Sequence, residues 1–275
     1  MTDYDPRLVD LYDGDNPDGP DHDFYRSLAD SLGAQRILDV GCGTGLLTVS
    51  LASSGRFVVG VDPSRSVIEF ASRRVGGEHV QWVLGDSRAI PADGFDLAIL
   101  SGNVAQHIVD PAWQRTLADI RAALRTGGVV AFETRNPLAQ AWKQWAAEAP
   151  SVRETIHGRL REWTEYTEGE DGEVHLVFHN SFESTGDSVA QAETLVFRSR
   201  DRVEEQLRAA GFEVRSVWGG WHGQPFTGAE PIMVFEACAI RLPTNPQLRP
   251  QMGGKCFLYD EYLGPSATCA GAVAG

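Results

Sequence analysis

Ile37-Leu38-Asp39-Val40-Gly41-Cys42-Gly43-Thr44-Gly45-Leu46 decides how this chain is read. Aliphatic residues and one aspartate run directly into Gly41, Gly43 and Gly45. Such apolar residues suit a strand buried on both faces of a parallel sheet. The glycines let the backbone turn tightly and approach a ligand closely. Leu46 to Leu51 then reads as the opening of a helix. Strand, glycine loop and helix start together form a nucleotide-type site, where free backbone N–H groups and the positive helix end face the ligand.

The glycine spacing narrows the choice. A dinucleotide fingerprint, G-x-G-x-x-G, needs its third glycine at position 46, and here Gly45 takes that role one residue early. Phe57-Val58-Val59-Gly60-Val61 reads as a second strand ending at Asp62, about 20 residues after Gly41, where a carboxylate can accept from both ribose hydroxyls. Asp62-Pro63-Ser64 also suits the start of a helix over Val67–Arg74, because Pro is favoured in a first turn. The two roles are compatible.

L-D-V before G-C-G-T-G, with an acid after the second strand, resembles motif I of the class I S-adenosylmethionine (SAM) methyltransferases of the small-molecule type. The late element Leu124-Arg125-Thr126-Gly127-Gly128 and the closing hairpin extend the resemblance over roughly residues 22–240. It implies an α/β, Rossmann-like, seven-stranded, mostly parallel sheet with an antiparallel last strand. It implies SAM as cofactor and S-adenosylhomocysteine as product. By position, Asp39 and carbonyls near Gly41 would meet the methionine amine, with Gly41, Cys42, Gly43 and Gly45 forming the loop. Asp62 and Pro63 would serve the ribose, and Asp86 and Ser87 the adenine. Ser101 and Asn103, after the fourth strand, would leave room for the methionine arm. Tyr25 would belong to a flap over the cofactor.

The rest of the alternation follows the same scheme. His79–Leu84, Phe95–Leu100 and Val129–Thr134 read as strands, and Pro111–Arg125 as a helix with Trp113, Leu117, Ile120 and Leu124 at helical spacing. Residues 35–136 therefore read as the cofactor-binding core. Residues 1–34 hold an Asp-, Pro- and Gly-rich segment and a helix over about 22–33, with Gly33 as its stop signal. Residues 137–198 break the pattern. A helical stretch over Ala139–Ala149 precedes three strand-like runs, Arg159–Tyr166, Glu173–Phe182 and Val189–Phe197, joined by turn sequences. A small antiparallel β insertion after strand five results, and in the family such a lobe roofs the acceptor. Side chains such as His175, Val177 and His179, or Trp163 and Glu165, would line its face. The two histidines lack a third ligand, so no metal is expected. Arg200–Ala210, Phe212–Val217 and Ile232–Ala239 complete the core over 199–240, and residues 241–275 read as a flexible tail.

His107, just past the fourth strand, and His222, in the loop joining the last two strands, are the catalytic candidates, since imidazole exchanges protons near neutrality. Glu133, Arg135, Asn136 and Trp221 are candidates for the acceptor side, and Gln106 for cofactor or acceptor. The absence of a D/N-P-P-Y motif after the fourth strand counts against methylation of nucleic-acid bases. A net charge of −14 also argues against a nucleic-acid partner. No apolar run approaches the roughly 18 residues of a membrane span. Cys42, Cys238, Cys256 and Cys269 lack zinc or redox spacing, and the N-terminus lacks a secretory pattern, so a cytoplasmic location is expected. The expected reaction is methyl transfer to an O, N or C nucleophile of a small organic acceptor. Two alternatives stand beside it: a nicotinamide oxidoreductase, disfavoured by the Gly45 spacing and the lack of a Tyr-x-x-x-Lys pair, and a non-catalytic SAM-binding regulatory protein.

Overall fold

The computed structural model describes residues 3–52, 55–92 and 94–241, so the expected flexible tail lies outside the described residues beyond Arg241. Strands β1 (Arg36–Val40), β2 (Phe57–Asp62), β3 (Val80–Leu84), β4 (Phe95–Leu100) and β5 (Leu124–Arg135) pair in parallel. Strands β10 (Phe212–Trp218) and β11 (Ile232–Ala239) close one edge. The spatial order is β10-β11-β5-β4-β1-β2-β3, and β11 runs antiparallel to both neighbours. This is the mostly parallel, Rossmann-like sheet that the sequence implies.

Helices cover both faces because the central strands are apolar on both. Leu38 and Val40 pack with Trp113 and Leu117 of α6 (Ala112–Ala123) and with Val203 and Leu207 of α8 (Arg200–Ala209). Ile37 packs on the other face with Tyr25 and Leu28 of α2 (Pro20–Ser31) and Leu51 of α3 (Leu46–Ala52). Fully burying one such large apolar side chain contributes roughly 1.5–3 kcal/mol. Helix α4 (Arg65–Arg73) is capped by Ser64, whose hydroxyl accepts the Val67 N–H at 3.3 Å.

Strand order reverses between β1 and β4, and open α/β sheets bind ligands where that happens. The loops after the two strands come together tightly. A β-carbon on Gly41 would lie 2.6 Å from Val104 Cγ2, and Gly41 has φ +70°, so glycine is required there. Val104 opens the short helix α5 (Val104–His107).

The inserted lobe begins with α7 (Ala141–Ala147) and forms an antiparallel sheet of four strands rather than three. They are β6 (Ser151–Thr155), β7 (Gly158–Glu168), β8 (Glu173–Phe182) and β9 (Asp187–Val196). The added strand β6, S-V-R-E-T, is short and polar, and carries too little alternation to announce itself. The expected inner face is also corrected. Leu160, Val174, Leu176, Phe182 and Leu195 are buried, and Val174, Leu176 and Leu195 pack with Trp142 and Phe197. The face carrying Trp163, Glu165, His175, Val177 and His179 therefore turns away from the core.

A helix absent from the sequence reading, α1 (Pro6–Asp15), bridges core and lobe. Asp5 caps it by accepting the Arg7 N–H at 2.9 Å, and Pro6 occupies the first turn. Asp13 accepts from Thr44 Oγ1 at 2.6 Å and pairs with Arg74. At the lobe, Arg7 reaches Asp187 at 2.9 Å and lies 4.0 Å over the Phe182 ring.

Arg198, at the exit from the lobe, pins α5 from below. Only 2% exposed, its guanidinium donates to the carbonyls of Ala105 (2.8 Å) and Ile108 (2.7 Å) and to Asp110 Oδ1 (2.7 Å). Removing one partner of such a buried cluster strands the others. Arg198→Met should cost about 3 kcal/mol and lower the unfolding midpoint by roughly 6–12 °C, measured by calorimetric melting of the two proteins side by side.

Candidate active site

The end of β1 begins the site. Asp39 alternates onto the α3 side, fully buried, and Thr48 of α3 donates to its Oδ2 at 2.7 Å. Among the described residues its Oδ1 has no hydrogen-bond partner. Burial pushes the Asp39 carboxyl up to about 6, against the lowering effect of Thr48. In the loop, the space beside Gly43 is open, whereas a β-carbon at Gly45 would strike Trp82 at 2.5 Å. Trp82 thus belongs to the packing under the loop. The Cys42 thiol is buried and its pKa is raised well above the ordinary value by that burial, which keeps it a thiol.

Asp62 ends β2 and is nearly buried. Its Oδ2 accepts the Gly43 N–H at 3.1 Å and its Oδ1 the Ser64 N–H at 2.9 Å, across the turn at Pro63. Burial raises its pKa. Each oxygen keeps a second lone pair. The cap of α4 is Ser64, so Asp62 is not the N-cap.

The ends of β4 and β5 form the second half. Ser101 is half-buried, with no side-chain hydrogen bond among the described residues. Asn103 adopts φ 59° and starts α5. Its N–H donates to Glu133, and its own buried Oδ1 lacks a partner. Glu133 also accepts from the Tyr25 hydroxyl. Gln106 is buried, and its Oε1 accepts the Arg135 N–H at 2.7 Å. His107 Nδ1 lies 2.9 Å from Glu193 Oε2 on β9, and the Tyr4 hydroxyl donates to Glu193 Oε1 at 3.2 Å. Burial raises the Glu193 carboxyl, but the hydrogen bond and charge of His107 outweigh it and hold the group below the usual range.

Several expected positions differ in environment. Tyr25 lies entirely in the core rather than on a mobile flap, because its hydroxyl is taken up by Glu133. Asp86 turns to Arg88 (2.8 Å) and Arg115 (3.5 Å), and the Arg88 hydrogen bonds hold it below the carboxylate norm. Ser87 donates to Asp119 at 2.6 Å. Asn136 is a buried turn residue whose amide donates to Gly228 and Glu230 carbonyls at 2.9 Å. His222 is exposed on the β10–β11 loop and among the described residues lacks the acid partner that His107 has, while its neighbour Trp221 packs on Phe24 and Tyr25. Glu193 and Arg198 were missed, since nothing near them in the chain signals a contact made across 86 residues or more. Among the described residues no group of three or more His, Cys, Asp or Glu has metal-holding geometry, and no helix is long and apolar enough to cross a membrane.

A Rossmann-like sheet with a glycine loop at its switch point and an acid after the second strand defines a protein that holds an adenosine-type cofactor. Comparisons with known proteins specify which. Residues 37–128 match the methyltransferase domain family. The chain is 27% identical over 212 residues to a cypemycin N-terminal methyltransferase of Streptomyces sp, covering 74% of this chain and 84% of that one. It is 31% identical over 121 residues to the glycine N-methyltransferase of Rattus norvegicus, spanning 38% of this chain and only 41% of that relative. A SAM-dependent methyltransferase from Clostridium acetobutylicum superposes with a TM-score of 0.70 at 14% identity, over 85% of this chain and 98% of that one. Residues 37–128 match a methyltransferase domain, and the fold around them is the one SAM-dependent methyltransferases share.

The buried Glu133 gives a test of this geometry. Burial pushes its carboxyl up to about 7 from 4.5, despite the hydrogen bonds of Tyr25 and Asn103. An acid raised in the folded state binds more protons than the unfolded chain between those two values. Its contribution to stability therefore falls as pH rises through that window and levels off above it. Relative to the parent, Glu133→Gln should gain on the order of 2–3 kcal/mol between about pH 5 and about pH 8, read by urea unfolding at each pH.

Proposed function

We propose that the protein transfers the methyl group of SAM to a nucleophile of a small organic acceptor, a nitrogen in the first instance, with His107 as the base. The observation that carries this reading is the His107–Glu193 pair, set between the end of β4 and the inserted lobe. A carboxylate on Nδ1 holds the proton there and leaves Nε2 as the accepting nitrogen. An amine attacks only as the free base, so a neighbouring group must take its proton. Two matched relatives are by name N-methyltransferases, which supports nitrogen over oxygen or carbon.

The unpartnered Asp39 Oδ1 and Asn103 Oδ1 suit the methionine ammonium group. Gly41, Gly43 and Gly45 shape the loop, and the open side at Gly43 admits the ligand. The spare lone pairs of Asp62 suit the ribose hydroxyls, with Pro63 fixing the turn. Ser101 borders the methionine arm. Cys42, Asp86 and Ser87 serve through their backbones, since their side chains are otherwise engaged. Tyr25 acts at one remove, through Glu133. Residues 1–34 form the cover, 35–136 and 199–240 the cofactor-binding core, and 137–198 the acceptor side. When bound, SAM supplies an electrophilic methyl on a sulfonium and departs as a neutral thioether, so the chain need provide no acid. His107 Nε2 takes the acceptor proton, and Glu193 and Tyr4 hold the ring in place. His222, exposed and without an acid partner among the described residues, is assigned no such role.

Calorimetric titration with SAM and S-adenosylhomocysteine, with NADH as control, tests the cofactor half. Asp62→Ala should weaken both sulfur ligands at least about tenfold, as expected for loss of hydrogen bonds to a charged group, and NADH should not bind. A screen of acceptors with labelled methyl groups tests the other half. There His107→Gln should lower kcat by roughly 10²–10⁴ while SAM affinity stays unchanged. Failure of both sulfur ligands to bind overturns the reading, and full turnover in the His107 variant removes the base.

A further inference from the structure

Arg135 ends β5, on the same strand face as Glu133, with a guanidinium that pairs with no anion among the described residues. Its backbone is fixed, because its N–H donates to Gln106 Oε1 on α5 at 2.7 Å. The guanidinium lies 4.9 Å over the ring of Trp145 on α7, beneath the inserted lobe. Its buried Nε has no hydrogen-bond partner, and among the described residues no carboxylate or carbonyl meets the group. Other arginines of this acidic chain behave differently. Arg7, Arg26, Arg74, Arg153 and Arg198 each reach a carboxylate. Glu133, two residues back, does not serve, since its oxygens already hold the Tyr25 hydroxyl and the Asn103 N–H. Burial pulls the Arg135 pKa below its ordinary value, and the Glu133 charge opposes that shift.

A half-buried guanidinium stacked on an aromatic ring keeps its edge donors in a fixed fork, the geometry that receives a planar oxyanion through two parallel hydrogen bonds. We propose that Arg135 binds a carboxylate of the methyl acceptor, so that the acceptor is a small acid whose nucleophile and carboxylate are held by opposite sides of one cleft. This rests on the methyltransferase reading above. Charge selects a carboxylate over a phosphate ester. One guanidinium balances a monoanion, whereas a dianion beside Glu133 would lack a second cation.

The test follows the Arg135 Nε–H signal in full-length protein labelled with ¹⁵N-arginine, with and without S-adenosylhomocysteine. Arg135→Lys and Arg135→Gln each identify the signal by its loss. Acetate, acetamide, inorganic phosphate and sodium chloride are titrated at matched ionic strength. The expected result is a saturable shift of this one signal with acetate, none with acetamide or chloride, and a weaker response to phosphate. A signal unmoved by acetate, moved equally by chloride, or bound more tightly by phosphate overturns the proposal. Calorimetry with S-adenosylhomocysteine on the same sample separates the two readings: if that ligand binds while acetate has no effect, only the carboxylate assignment fails, and if acetate binds where that ligand does not, the methyltransferase reading fails instead.

Discussion

Glu133 joins parts of the molecule that the chain keeps far apart. One oxygen accepts from Tyr25 of α2 and the other from the N–H of Asn103, at the start of α5. Asn103 holds a left-handed backbone that non-glycine residues seldom adopt, and the bond to Glu133 fixes the turn it makes. Helix α5 then sends Gln106 back to the Arg135 N–H, closing a ring of contacts onto the strand where it began. Arg198 holds the carbonyl end of the same helix. In a buried setting each of these bonds is stronger than it would be in water, and each is costly to leave unmade. The placement of His107 follows from that ring, since it is the last residue of a helix clamped at both ends.

Helix α1, the proposed cover, is held on a different principle. Of α1, only Val9 is buried. The helix is attached by polar contacts at its ends: Asp13 to Thr44 and Arg74 on the core, Arg7 to Asp187 and Asp10 to His157 on the lobe. Exposed ion pairs contribute little individually, and a segment with few buried apolar contacts opens locally at low cost. The contacts that hold α1 are thus individually weaker than those that clamp α5.

How far the chain could be read follows the length of its contacts. The cofactor half lies in contiguous stretches, where Asp39, the three glycines and Asp62 sit within one strand–helix–strand unit, so spacing and the family resemblance together single them out. Strands β4 and β11 are apolar runs bounded by clear turns, and their limits were legible to the residue. The acceptor half is assembled from distant segments. Glu193 meets His107 and Tyr4 across the whole insertion, and no local pattern marks a glutamate in an alternating strand as a partner. Helix α1 was hidden because its aspartates and Gly14 resemble loop composition, while Asp5 and Pro6 supplied the capping that made it a helix. The inner face of the lobe was misassigned because aromatics and histidines stood out, whereas plain Leu160, Leu176 and Leu195 decide which side is buried.

The electrostatics of the cleft limit where catalysis can arise. Asp39, Asp62 and Glu133 are all buried acids whose pKa values burial raises. Charged, they favour a cationic ligand, and SAM carries a sulfonium charge that its product lacks. Such a field helps gather the cofactor and release the product. It acts on the ground state as strongly as on a transition state in which the sulfur charge is already fading, so it does not by itself lower the barrier. The acceleration must come from holding the nucleophile in line with the methyl group and from removing its proton on time. In the proposed mechanism those tasks fall to His107, on a helix clamped at both ends, and to Arg135, at a fixed strand end.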